Sequence, residues 1–99
     1  MEERLRKLLK FGSLLSAKSK DLAAIITSEM GKPTAQAMFE IDFAAQGIKK
    51  AAGEAEAALK PQIVKTEFKK SMIVYQPLGP LYSIQPWNFP LSTLVHTNL

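Results

Sequence analysis

The stretch from Tyr75 to Leu91, YQPLGPLYSIQPWNFPL, decides the fold that this sequence predicts. Its first part, Pro77-Leu-Gly-Pro, is typical of a turn, because proline fixes φ and glycine accepts the left-handed conformation. The next residues, Leu81 to Gln85, predict a short strand of the kind that is buried on both faces of a parallel sheet. Pro86-Trp-Asn-Phe-Pro follows directly, and a helix is expected to begin near Leu91. This order of strand, loop and helix indicates a βα unit.

The first 60 residues predict three helices that end at recognisable signals. Gly31 is expected to end the second helix, Pro33 to open the third and Pro61 to stop it. Gly47 and Gly53 each weaken a helix by about 1 kcal/mol relative to alanine, so each is a candidate position for a bend. Apolar residues recur at helical spacing on one face of each segment: Leu5, Leu8, Leu9 and Leu15 in the first; Leu22, Ile25, Ile26 and Met30 in the second; Met38, Ile41, Ala45, Ile48, Ala52, Ala55 and Leu59 in the third.

Two segments between the helices and the decisive stretch predict strands. Residues 62–68 and 71–76 are rich in β-branched and aromatic side chains. Lys69 and Lys70 separate them and are expected in a turn or on a charged sheet edge.

Composition and charge exclude several classes of protein. The chain has 99 residues, no cysteine and one histidine, which excludes a disulfide scaffold and a catalytic thiol within it and makes a metal site unexpected. No apolar run approaches the roughly 20 residues that cross a bilayer, and the basic N-terminus lacks the apolar core of a signal peptide. We therefore expect a soluble, cytoplasmic protein. The net charge of +4 is interspersed with acids and lacks a stacking pattern of aromatics, so neither nucleic acid nor a membrane surface is an expected partner.

The decisive stretch closely resembles the part of the aldehyde dehydrogenase superfamily that reads P-x-G followed by I-x-P-W-N-F-P. Upstream, Glu29-Met-Gly-Lys-Pro33 is similar to the E-x-G-K-P helix end of the superfamily, and Glu40 falls where the next helix usually carries an acidic residue. These blocks match in order and spacing, so the resemblance covers nearly the whole chain. Within the superfamily, the sequence is similar to succinate-semialdehyde dehydrogenases.

The resemblance implies roles for four residues. It assigns to Asn88 the catalytic side-chain amide that stabilises the oxyanion formed when a cysteine thiolate attacks an aldehyde carbon. Preorganised donors of this kind are worth roughly 3–4 kcal/mol. It also places Ile84, Pro86, Trp87 and Asn88 against the nicotinamide cofactor, NAD or NADP, largely through backbone and apolar contacts. The physical basis is sound, because prolines fix the backbone on both sides of Asn88 and strand ends of open α/β sheets face the ligand crevice.

The reaction that the resemblance implies is NAD(P)-dependent oxidation of an aldehyde, with succinate semialdehyde as the candidate, to the carboxylic acid. In the family, the cysteine nucleophile, the glutamate base, the glycine-rich turn and the ribose-binding lysine all lie beyond the segment matched here. The chain itself has no cysteine and no Gly-x-Gly-x-x-Gly pattern. We therefore expect an N-terminal fragment of such an enzyme, inactive and without tight cofactor binding on its own.

The implied parent fold is α/β with a Rossmann-like cofactor domain, and this chain is expected to be an α+β part of it. Residues 1–61 are expected to be the helical part of the cofactor-binding domain, and 62–77 the β-ribbon of the oligomerisation region. Residues 78–99 are expected to be the first strand of the cofactor-binding sheet, the PWNFP loop and the start of the next helix. A homo-oligomer is the expected assembly. Since a parallel strand needs a parallel neighbour and none follows, we expect the fold to continue past Leu99.

Simpler interpretations stand beside these roles. Asn88 taken alone is a candidate cap for the helix that follows it, and Trp87 and Phe89 are candidate core aromatics. Lys32 is interpreted as a charge that complements the end of the second helix, and Glu40 as a solvated residue of the third.

A second functional hypothesis follows from the apolar face of the third helix. If nothing else covers that face, the chain is expected to be a non-catalytic interaction module that self-associates or docks on a full-length homologue. His96 is interpreted as a lone histidine without a ligand or general-base role.

Overall fold

A computed structural model describes all 99 residues, from Met1 to Leu99. The elements, in chain order, are α1 (Glu2–Ala17), α2 (Ser19–Met30), α3 (Thr34–Ala58), β1 (Gln62–Val64), β2 (Ser71–Ile73) and α4 (Pro90–Asn98). This confirms the α+β composition expected for the chain. The radius of gyration is 17.6 Å, against about 13 Å for a compact domain of 100 residues, so the molecule is elongated.

Helix α3 is the centre of the helical part. It packs against α1, α2 and α4, and its buried face supplies most of the apolar core. Ile41, Ala45 and Ile48 of the predicted apolar face are buried there, whereas Leu59 at the far end remains 40% exposed. The core consists of Leu15, Ala23, Ile26, Ala37, Ile41, Ala44, Ala45, Ile48 and Val95. Much of the α3 face that the interaction-module hypothesis requires to be open is thus covered by the chain's own helices.

The helices continue through their internal glycines despite the low helix propensity of glycine, and at Gly12 packing gives the reason. Helix α1 continues through Gly12, where a Cβ atom would lie only 3.3 Å from Ile48 Cγ2, so the absence of a side chain lets α1 approach α3 closely. Helix α3 continues through both Gly47 and Gly53, so neither glycine interrupts it. Gly31 ends α2 in the left-handed conformation, with φ of 77°, as the sequence predicts.

The predicted core faces of α1 and α2 are wider than the observed ones. Leu15 and Ile26 are buried, but Leu9 and Ile25 are 43% and 50% exposed. The reason is that each of these helices packs principally against one neighbour, α3, which covers only a narrow stripe of the helix surface.

The predicted ribbon is present but short. Strands β1 and β2 pair antiparallel, with Gln62 opposite Ile73 and Val64 opposite Ser71. Lys69 and Lys70 lie in the connection between the strands, as expected for a turn. Residues 81–85 have no strand partner in the chain and do not form a strand, because a strand requires hydrogen bonds from a neighbour.

None of the helices combines the length and apolarity that a bilayer-spanning helix requires.

Candidate functional site

The segment Pro86–Pro90 connects the extended region after the ribbon to helix α4. Pro90 is the first residue of α4, and Phe89 is the N-cap residue, with φ of −138° and ψ of 63°. Proline suits this first position because its missing N–H is one that a helix start leaves unpaired. The loop therefore enters α4 with a backbone that is fixed at Pro90 by the ring.

Lys32 and Glu40 form a buried ion pair beneath this loop. The Lys32 Nζ atom lies 2.5 Å from Glu40 Oε2, and the two side chains are only 7% and 1% exposed. Gly31, in the left-handed conformation, turns the chain between α2 and α3 immediately before Lys32. Glu40 lies on the buried face of α3, next to Ile41.

The carboxylate of Glu40 caps helix α4 from outside. Its Oε1 atom accepts hydrogen bonds from the backbone N–H groups of Leu91, at 2.9 Å, and Ser92, at 3.1 Å. These are the second and third residues of α4, whose N–H groups have no partner within the helix, while Pro90 has no N–H at all. A negative charge at this position is also favoured by the dipole of α4.

The ammonium group of Lys32 contacts the loop at two points. It donates a hydrogen bond of 2.6 Å to the backbone oxygen of Asn88. It also lies 3.9 Å from the centroid of the Phe89 ring, within the range of a cation–π interaction. The buried ammonium thus has a carboxylate, a carbonyl and an aromatic face as neighbours, which compensates its removal from water.

The simpler interpretations of Lys32 and Glu40 are therefore wrong. Lys32 is not merely a charge at the end of α2, and Glu40 is not solvated. Glu40 carried a signal that the sequence analysis missed: it stands at helical spacing from Ala37, Ile41 and Ala44, on the face that is buried. A charged residue within a buried stripe needs a partner, and the sequence does not show that Lys32 supplies it.

The residues assigned by resemblance lie on the outer side of the loop. Asn88 is exposed, and its one side-chain-mediated contact in the chain is made to its backbone oxygen, by Lys32, and not to its carboxamide. Ile84 and Trp87 are 80% and 77% exposed, and Pro86 is exposed as well. These apolar side chains and the amide of Asn88 are thus exposed within five consecutive residues, of which only Gln85 is half-buried.

Two alternatives for these residues are also wrong. Asn88 does not cap α4, since Glu40 fills that role. Trp87 and Phe89 are not core residues: Phe89 is 49% exposed and covers the Lys32 ammonium with its ring face.

His96 has a local structural role. Its Nδ1 atom lies 2.6 Å from the backbone oxygen of Ser92, which can only accept, so Nδ1 carries the hydrogen. Its ring stacks on Phe43 of α3, with 5.2 Å between the centroids. These contacts join α4 to α3.

Comparison with known proteins identifies the family. A model of the aldehyde dehydrogenase family matches residues 1–98 of the chain. The chain belongs to the aldehyde dehydrogenase family. This confirms the resemblance read from the PWNFP segment and from the Gly31-Lys-Pro33 helix end.

Individual members of the aldehyde dehydrogenase family show how far the similarity reaches. The NAD(P)+ succinate semialdehyde dehydrogenase Sad of Escherichia coli (strain K12) is 40% identical over 91 residues, which are 92% of this chain and 20% of that protein. The glutarate-semialdehyde dehydrogenase of Pseudomonas putida (strain KT2440) is 38% identical over 94 residues, again 20% of its length. The chain therefore spans about a fifth of the length of the curated relatives that it matches.

A solved structure confirms the fold. The structure of Gox0499, from a study of its cofactor and substrate selection, superposes with a TM-score of 0.88 at 35% identity. The match covers 94% of this chain and 20% of Gox0499. Over the matched residues, this chain therefore has the same fold as one fifth of Gox0499.

Proposed function

We propose that this chain supplies the oxyanion-stabilising amide, Asn88, and an apolar wall of the cofactor site in an NAD(P)+-dependent semialdehyde dehydrogenase. The observation that supports this most strongly is the exposed, unbonded carboxamide of Asn88 on a loop whose backbone is held from below by Lys32. Family membership over residues 1–98 supports the reaction class.

The chemistry of the Asn88 amide fits this role. Its nitrogen has two N–H donors, and the hydrogen bond that Lys32 makes to Asn88 uses the backbone oxygen and leaves both donors free. When a nucleophile adds to an aldehyde carbon, the carbonyl oxygen becomes negative and requires donors at about 2.7–3.1 Å. A free amide on a fixed loop can meet that oxygen without first breaking another hydrogen bond, so little reorganisation accompanies the reaction.

The exposed apolar residues beside Asn88 fit the nicotinamide cofactor. Ile84, Pro86 and Trp87 present an apolar surface that suits one face of a flat heteroaromatic ring. The cofactor, when bound, supplies the hydride acceptor. These residues exclude water and orient the ring, whereas the chain contains no glycine-rich pattern for a pyrophosphate and no cysteine nucleophile.

The candidate substrates are semialdehydes that carry one carboxylate, at the end of the carbon chain opposite the aldehyde. The matched relatives from Escherichia coli and Pseudomonas putida are named for succinate and glutarate semialdehyde respectively. Both cofactors are to be tested, because the Escherichia coli protein is named for NAD(P)+.

The test uses the native polypeptide that contains these residues, purified from its source or expressed from its complete gene. Its intact mass is measured first, and then the formation of reduced NAD or NADP with each semialdehyde. The proposal expects turnover, and it expects Asn88→Ala to lower kcat by about 100- to 1,000-fold, the usual cost of losing one oxyanion donor. Asn98→Ala, at an exposed asparagine of α4, is the matched control and should retain activity.

The 99-residue chain alone is expected to be inactive and to bind the cofactor only weakly, because it contains no cysteine nucleophile and no glycine-rich pattern for a pyrophosphate. Aldehyde-dependent formation of reduced cofactor by the purified chain, above a heat-killed control, would contradict this. A micromolar Kd for NAD or NADP by calorimetry would contradict it equally.

The exposed apolar side chains favour one other function, a non-catalytic interaction module. Ile63 on β1 is 81% exposed, and Leu78 and Tyr82 beyond the ribbon are 88% and 93% exposed. An exposed ribbon can pair with another copy or with a homologue, and homo-oligomerisation through it is part of the proposal. A native mass near 10.9 kDa without aldehyde oxidation would favour the module over the enzyme.

A further inference from the structure

We propose that Lys32 and Glu40 are positioning residues for Asn88, so that this buried ion pair sets the place of the oxyanion donor. The inference rests on the proposed function of Asn88. It assigns a role in the reaction to two residues that do not themselves reach the exposed face of the loop.

The first step is the backbone between the two prolines. Pro86 and Pro90 fix their own φ angles, but Trp87, Asn88 and Phe89 keep rotatable backbone bonds. The hydrogen bond from Lys32 Nζ to the backbone oxygen of Asn88, at 2.6 Å, lies in the middle of this segment. It therefore fixes the backbone of the same residue whose side chain is the proposed oxyanion donor. Hydrogen bonds from charged donors are about twice as strong as neutral ones, so this tether is a firm one.

The second step is the anchor on the far side of the loop. Glu40 Oε1 holds the N–H groups of Leu91 and Ser92, three and four residues after Asn88. Its other oxygen, Oε2, holds Lys32. The carbonyl of Asn88 and the start of α4 are therefore connected through a single buried ion pair, which is carried on the junction of α2 with α3 and on α3 itself.

The third step is burial. With side chains 7% and 1% exposed, neither charge can turn to water when its partner is displaced. The pair consequently has one favourable arrangement, and the loop that it binds is held in one position. Catalytic groups need this accuracy, because a misplacement of about 1 Å can reduce a rate by about 100-fold.

The experiment uses the native polypeptide and the charge-neutral double variant Lys32→Met/Glu40→Gln. Methionine removes the donor to Asn88, and glutamine keeps an oxygen for the N–H groups of Leu91 and Ser92, so no unpaired charge is left buried. We expect kcat to fall by about 10- to 100-fold with a much smaller change in KM, because the tether acts on a donor that is used in the transition state. The matched control is Glu3→Gln/Lys7→Met at an exposed ion pair, which should leave kcat and KM unchanged.

A double-mutant cycle with Asn88→Ala separates positioning from general stabilisation. If Lys32 and Glu40 act through Asn88, adding their substitutions to Asn88→Ala lowers kcat little further. If the losses multiply in full, the pair does not act through Asn88 and the proposal is wrong. Should the double variant fail to fold, Lys32→Arg keeps the charge opposite Glu40 but replaces the ammonium by a planar fork, and the same coupling is expected.

A second readout does not depend on activity. Amide hydrogen exchange of Leu91 and Ser92, whose N–H groups Glu40 binds, should be at least about tenfold faster in the double variant, because the acceptor is then neutral and no longer held by Lys32. Exchange in the α1 and α2 core should be unchanged, and unchanged exchange at Leu91 and Ser92 overturns the proposal. A wild-type polypeptide without aldehyde oxidation overturns the proposed function and the positioning role together, whereas an active wild type with uncoupled variants overturns positioning alone.

Discussion

Lys32→Met is a substitution for which the structure predicts a large loss of stability. The Lys32–Glu40 pair is 2.5 Å apart with side chains 7% and 1% exposed, whereas the Lys7–Glu3 pair is 2.8 Å apart with both side chains 70% exposed. The separations are nearly equal, so Coulomb's law at one dielectric constant gives nearly equal energies. Burial makes the difference, because removing one partner of a buried pair leaves the other charge without water or counter-ion.

The expected magnitudes follow from this contrast. Breaking a buried pair by removing one partner costs about 3–5 kcal/mol. For Lys32→Met we expect about 3 kcal/mol, at the lower end, because Glu40 retains the N–H groups of Leu91 and Ser92 as donors. Lys7→Met is expected to cost about 0.5 kcal/mol or less, as exposed pairs in helices do.

The assay is urea unfolding of the native polypeptide, with the free energy of unfolding taken from the midpoint and slope. Lys32→Met/Glu40→Gln should cost less than Lys32→Met alone, since no charge remains buried. The coupling energy between the two substitutions should be at least about 2 kcal/mol. A cost for Lys32→Met no greater than that for Lys7→Met, or additive costs in the double variant, would refute the reasoning.

Three glycine substitutions test the packing of the helices. Gly53→Ala should stabilise by about 1 kcal/mol, because nothing lies within 4 Å of the added Cβ and alanine favours the helix. Gly12→Ala should be less stable than Gly53→Ala by at least about 1 kcal/mol, because its Cβ would lie 3.3 Å from Ile48 Cγ2; equal urea midpoints for the two would argue against close α1–α3 packing. Gly31→Ala, at φ of 77°, should cost about 1–2 kcal/mol and, by moving Lys32, should also lower kcat; an unchanged midpoint would show that this turn adapts freely.

Much of the helical part was predictable because its signals are local. Gly31 and Pro33 lie where one helix ends and the next begins, since glycine accepts a positive φ and proline suits a helix start. The periodicity of Ile41, Ala45 and Ile48 reports the buried face of α3 correctly, because a helix repeats its face every three to four residues.

Other predictions were wrong because the features concerned depend on neighbouring elements of the fold. Leu9 and Ile25 have the spacing of core residues, yet they are exposed because no element covers that side of their helices. Residues 81–85 have the composition of a strand, yet they form none, because strand pairing is a property of two segments.

The sequence by itself determined the family, through the PWNFP segment and the Gly31-Lys-Pro33 helix end, together with the helices and the ribbon. Only the tertiary structure decided that Lys32 and Glu40, eight residues apart in the chain, form a buried ion pair. This pair binds the loop at Asn88, which lies more than fifty residues after Lys32. The physical reason is that local rules describe a residue's own backbone, whereas the partner of a buried charge is chosen by packing. In the sequence, a lysine and a glutamate that form a buried ion pair cannot be told from a lysine and a glutamate on a solvated surface. Only burial distinguishes the two cases.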